Sequence, residues 1–227
     1  MPTASSPPAR TATRGPSSAK TARTRASIVR AAFEEFIDKG FAAAKVADIS
    51  VRAGIAKGTI YRYFPTKEDL FVSVLRAFIA EGKIELQNHP RLTGETVGDY
   101  LRRTLLPVIA CIESSGRARI ARLVLAESAQ FPVLAEAYVR EVHAPLLEEI
   151  RRLAQLALDE GELRDDALVR YPHLLLGSNW IGMAHNGMLT PEQPLDIGAM
   201  FACSIDLVFG KSAGNTSGAS QLRHHDR

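Results

Sequence analysis

Glycine and proline punctuate one stretch of this chain so closely that only short helices fit between them. In "GFAAAKVADISVRAGIAKGTIYRYFPTKEDLF", residues 40–71, the breaks are Gly40, Gly54 and Pro65. Glycine favours the end of a helix and proline cannot continue a helix interior. Upstream, residues 24–39 carry Ile28, Val29, Ala32, Phe33, Phe36 and Ile37 on one stripe, a helix that Gly40 closes. A second helix over about 46–52 turns Val46 and Ile49 inward, and Gly54 breaks it. A third, 57–63, follows within four residues and stops before Pro65. Thr66 then caps a fourth, with Asp69 in the reciprocal position of a capping box and Leu70, Phe71, Val74, Leu75 and Phe78 inward.

The third segment has the wrong composition for a core helix. It packs Lys57, Gly58, Thr59, Tyr61, Arg62 and Tyr63 into two turns, with Lys67 just beyond. Two short helices joined by a tight glycine-containing turn, supported by a first helix, form a helix-turn-helix whose second helix enters the DNA major groove. Under that reading Lys57, Arg62 and Lys67 meet phosphates. Thr59 touches base edges, the tyrosine hydroxyls reach phosphate oxygens, and Gly58 lets the backbone approach the duplex. Ile60 and Phe64 point back into the helical core. A short two-helix corner of any α-protein is the bland alternative.

The run from Gly40 to Leu75 resembles the signature of the TetR family of bacterial transcriptional regulators, and the similarity extends without gaps over about 25–80. The resemblance implies that Thr59, Tyr61 and Tyr63 contact DNA and that Lys67 sits on a phosphate. Arg62, between the tyrosines, is the candidate for base readout. Two departures stand out. Ala44 and Lys45 occupy the place where the family usually caps its second helix with threonine or serine, and Ala56 replaces a common serine before Lys57.

Charge is unevenly spread. Residues 1–25 contain Arg10, Arg14, Lys20, Arg23 and Arg25 and no acid, whereas the whole chain carries only +3. The basic arm, 1–23, is Pro/Ser/Thr-rich and expected to be disordered, as is the tail 212–227 with His224 and His225. The arm either lies along DNA or is a solvated tail. Cys111 and Cys203 fall in apolar surroundings and read as buried reduced thiols. The longest apolar run, Leu174–Leu189, is too short for a membrane span and includes Asn179, His185 and Asn186. These features indicate a soluble, cytoplasmic protein.

The chain is thus expected to be all-α. A helix-turn-helix DNA-binding domain would cover 24–82, and a larger helical domain 83–211 would have helices near 95–113, 117–129, 132–160, 166–188 and 195–210. Pro145 should kink the third of these. By the resemblance, the larger domain encloses an effector pocket and dimerises through its last two long helices. Tyr138, His143, Asn179, Trp180, Met183 and His185 are the pocket candidates, with Tyr100 and Phe131 beside them; core packing would use the same residue types. No phosphate loop, metal-ligand spacing or nucleophile motif occurs, so neither an enzyme nor a cofactor or metal is expected. The expected partners are double-stranded DNA carrying a palindromic operator, a small apolar or aromatic effector and a second copy of the chain, with no membrane. The alternative is a ligand- or protein-binding module that keeps the fold without specific operator binding.

Overall fold

The computed structural model describes residues 18–211, apart from the side chains of 78–88. The described elements are all helical: α1 (Ser18–Ala43), α2 (Val46–Ala53), α3 (Lys57–Tyr63), α4 (Lys67–Asn88), α5 (Val97–Ala110), α6 (Arg117–Glu127), α7 (Pro132–Tyr138), α8 (Ala144–Asp159), α9 (Ala167–Arg170), α10 (His173–Ala184) and α11 (Ile197–Phe209). Two π-helical turns, Val139–His143 and His185–Leu189, follow α7 and α10.

The punctuation acts as its chemistry requires. Gly40 adopts φ 78°, ψ 165° and kinks α1. Gly54 takes the left-handed conformation (φ 65°, ψ 34°), and its N–H closes α2 onto the Ser50 and Val51 carbonyls. Thr66 and Asp69 exchange both hydrogen bonds of a capping box at the start of α4. Neither Lys45 nor Ala56 supplies a side-chain cap to α2 or α3.

Two apolar clusters hold the helices together. One joins Ile28, Phe36 and Phe41 of α1 to Ile49, Ile60, Phe64, Leu70 and Phe71, and continues into Ile120, Leu123 and Leu134 of α6 and α7. The Phe36, Phe41 and Phe71 rings meet pairwise with centroids 5.5, 5.7 and 5.6 Å apart. The other gathers Leu101, Leu105, Ile150, Leu153, Leu175, Phe201 and Ile205 from α5, α8, α10 and α11. The boundary expected at 82/83 lies inside α4, and packing does not divide there, because α6 and α7 share the N-terminal core.

Several expectations are corrected. Residues 18–23, assigned to the disordered arm, are the first turns of α1, and Arg25 packs over the Phe64 ring at 5.4 Å. The remainder of the arm and the tail lie outside the described residues. The 132–160 helix runs without a break to Asp159, and its irregularity is a π turn just ahead of Pro145. Pro145 lacks the N–H that would close a regular turn, and the preceding turn widens so that the Ala144 N–H reaches back to the Val139 carbonyl. The 166–188 helix is broken at Tyr171 and Pro172, leaving α9 as a single turn. Cys111 and Cys203 are both exposed, not buried.

Candidate nucleic-acid interface and the cavity behind it

α3 sorts its side chains by face. Ile60 is buried and Thr59 and Tyr63 are half-buried, while Lys57, Gly58, Tyr61 and Arg62 stand exposed. Lys57 Nζ lies 5.8 Å from the Tyr61 ring centre, and the Arg62 guanidinium 5.5 Å from that of Tyr63. The outer face is therefore a strip of cations and phenols with no acidic group on it, suited to phosphates and base edges.

The scaffold behind α3 is ionic as well as apolar. Arg52 of α2 reaches Glu34, Glu35 and Asp38 of α1 at 3.4, 3.2 and 3.0 Å, and Lys39 bridges Glu35 and Asp48 at 2.7 and 2.8 Å. The hydrogen bond from Lys39 lowers the Asp48 carboxyl below its ordinary range. These contacts fix the crossing of α1 and α2, on which α3 rests.

Lys67 points inward. Its ammonium donates to the carbonyls of Phe41, Ala42 and Ala44 at 2.7, 3.3 and 3.2 Å and sits 4.5 Å from the Phe41 ring centre. The same turn is gripped from the other side by Glu127, at the end of α6, which accepts from the Phe41 and Ala42 amides at 2.9 and 2.8 Å. The positive φ favours glycine at residue 40, and a Cβ there would also push aside the Glu127 carboxylate that holds the turn. Sequence reasoning missed Glu127. A lone glutamate at a helix end reads as a solvated face, and nothing local signals a partner 85 residues away.

Beneath this module, α4, α5, α6, α7, α8, α10 and the first π turn line a half-open cavity of about 540 Å³. The structure places Tyr138, His143, Asn179, Trp180 and Met183 on its wall, with Tyr100 also lining it. His185 is not among the lining residues, and its Nε2 lies 3.0 Å from the Gln193 carbonyl. Asn186 holds the Leu195 backbone through two hydrogen bonds, and Phe131 stacks on Phe41 in the N-terminal core. Burial pushes the Tyr138 hydroxyl up to about 12. Burial, then the nearby His173, lowers His143 below the ordinary histidine range and keeps it neutral at pH 7. At the rim, hydrogen bonds from Arg76 and then Arg140 outweigh burial and hold the Glu141 carboxyl at about 2.

A short glycine-turned pair of helices with a cationic, phenolic outer face, set on a helical body with an internal cavity, defines a helix-turn-helix DNA-binding protein with a second, ligand-sized chamber. Comparisons with known proteins agree. A model of the bacterial regulatory proteins of the tetR family matches residues 28–74, and one of the AefR-like transcriptional repressor C-terminal domain matches 99–169. The chain is 24% identical over 174 residues to the transcriptional regulator AcrR of Shigella flexneri, covering 74% of this chain and 80% of that one. It is 25% identical over 162 residues to the repressor BepR of Brucella suis, covering 69% and 66%. FadR of Bacillus subtilis, solved in complex with stearoyl-CoA, shares the fold with a TM-score of 0.56 at 21% identity, covering 82% of this chain and 99% of that one. The chain belongs to the TetR family: it is a DNA-binding transcriptional regulator, and the family is not one of enzymes. Among the described residues no helix is long and apolar enough to cross a membrane.

Proposed function

We propose that this regulator is a homodimeric repressor that reads a two-fold symmetric operator through α3 and is released by a small apolar or aromatic effector in the cavity. The observation that carries the dimer is an apolar stripe facing outward on the last two long helices. Leu174, Ile181 and Leu207 are 61%, 64% and 87% exposed. They lie in line with exposed Gly177 on α10 and with Ala199 and Cys203 on α11. Small residues between large ones allow close helix approach. The stripe also accounts for a cysteine in apolar surroundings that one copy leaves open. Two-fold pairing along it would set two α3 helices in successive major grooves, roughly 34 Å apart.

Effector control follows from shared elements. α4 and α6 both line the cavity, through Leu75 and Ile120, and both hold the turn after Gly40, through Lys67 and Glu127. A ligand that moves either helix therefore acts on the seat of α2 and α3. Releasing the operator needs only a few kcal/mol of preference for the non-binding arrangement.

The test is selection from random duplexes at two salt concentrations, with light scattering on the wild type and on Leu207→Glu. A palindromic motif, a dimeric mass and a monomeric, weakly binding Leu207→Glu are expected. A motif without dyad symmetry, or a dimer unaffected by Leu207→Glu, would overturn the proposed assembly. Steeply salt-dependent binding without any motif would leave the operator reading without support and favour the ligand- or protein-binding alternative.

A further inference from the structure

The cavity contains a polar group that the protein leaves unmatched. Asn179 is 3% exposed and lines the cavity from α10, yet its Oδ1 has no hydrogen-bond donor. A buried acceptor left in this state costs about 1–3 kcal/mol, so a guest that donates to it recovers that cost on binding. The Tyr138 hydroxyl, on the same wall, is a second polar point and remains protonated.

The charges of the wall narrow the guest further. Glu141 is held by Arg76 and Arg140, at 2.8 to 3.0 Å, and Glu149 by Arg152 at 2.6 and 2.9 Å. Neither carboxylate is free to receive a cation, and His143 is neutral. Arg117, which opens α6 on this wall, has no ion pair among the described residues. It disfavours a cation and attracts an anion, so only the hydrogen bonding at Asn179 separates a neutral donor from a carboxylate. An ionised carboxylate brings only acceptors: it cannot satisfy Asn179 Oδ1 as placed, and pairs there only if the amide turns over to present Nδ2. The remaining surface is apolar and ring-lined: Tyr138 and His143 each meet Trp180 edge-on, with centroids 5.7 and 5.8 Å apart. Such edges and faces complement another aromatic ring.

Resting on the effector reading of this cavity, we propose that its ligand is an uncharged aromatic molecule of the phenol class, whose hydroxyl donates a hydrogen bond to Asn179 Oδ1. The ring packs in the Tyr138, His143 and Trp180 corner, and an apolar tail fills the space towards Leu75 and Ile120.

Trp180 is the only tryptophan in the chain, so its emission reports on this wall directly. The probes are 4-hexylphenol, its methyl ether and 4-hexylbenzoate, titrated into the full chain and followed by emission and calorimetry. The phenol should bind about tenfold more tightly than the ether, in which a methyl group replaces the donor hydrogen. It should also exceed the benzoate by at least that factor. Asn179→Leu removes an unmatched polar group and keeps the volume, so its thermal stability should hold or rise. In that variant the phenol-to-ether ratio should fall to about one. An ether that binds as tightly as the phenol, a benzoate that binds more tightly, or a ratio unchanged in Asn179→Leu would overturn the hydroxyl assignment while leaving the cavity as an effector site. If none of the three probes produces heat or changes the emission, the phenol assignment is overturned, while the effector reading of the cavity stands or falls on ligands of other classes.

Discussion

Lys67 offers a sharp test, because its sequence position and its geometry assign it different work. The resemblance puts it on a DNA phosphate. In the structure its ammonium is surrounded by three backbone carbonyls at 2.7, 3.3 and 3.2 Å. Lys67→Met keeps the stem against the Phe41 ring and removes the donor. Hydrogen bonds to charged groups contribute about 1.5–3 kcal/mol each. The three here share one cation and two are long, so they are not additive. Counting the 2.7 Å bond in full and the others as residual gives a loss of about 2 kcal/mol. For a chain of this size, each kcal/mol corresponds to a fall of about 2–4 °C in Tm. Thermal unfolding of Lys67→Met should therefore begin about 4–8 °C lower. The dependence of DNA affinity on salt should keep the slope of the wild type, because no phosphate contact has been removed. The opposite pair of results would refute the clamp: an unchanged Tm together with a salt slope reduced by about one phosphate.

Three further outcomes are expected. Arg62→Ala should relax base preference at one operator position by about 1–3 kcal/mol while leaving Tm unchanged, as read by binding to single-substituted duplexes. Glu127→Ala removes both acceptors from the Phe41 and Ala42 amides, so those amides should exchange hydrogen faster and operator affinity should fall although α3 is untouched. The Glu141 carboxyl is held at about 2, below its ordinary 4.5. Its contribution is therefore complete above pH about 4.5 and lost as pH falls towards 2. Denaturant titrations across that window should show a shallower loss of stability in Glu141→Gln than in the wild type.

Much of the DNA-reading half was legible because its signals are local. Gly54, Pro65, Thr66 and Asp69 act on their own backbone within a turn or two, so spacing alone located α2, α3 and the start of α4 within a residue or so. The inward turn of Ile60 and Phe64 follows from helical period in the same way. The larger half was less legible for an equally local reason. Its helices are apolar over long runs, so period alone carries one helix past Pro172, a breaker as local as Pro65. Period also gives no sign of the π turn before Pro145.

The cavity was read through residue type, since Asn179, Trp180 and Met183 are conspicuous on an apolar helix. His185 carried the same signal and lies outside, because composition does not record which side of a helix faces a void. The pairing of Lys67 and Glu127 across the kink at Gly40 had no sequence signal. Residues 40, 67 and 127 meet only when α1, α4 and α6 pack around one phenylalanine cluster, where a lysine finds bare carbonyls and a glutamate finds bare amides. The sequence by itself determined where the short helices begin and end and which of them presents cations and phenols outward, because caps, breakers and exposed side chains act where they stand. Only tertiary structure decided what holds that helix in place and which polar group waits in the cavity, because those depend on partners brought together from distant parts of the chain.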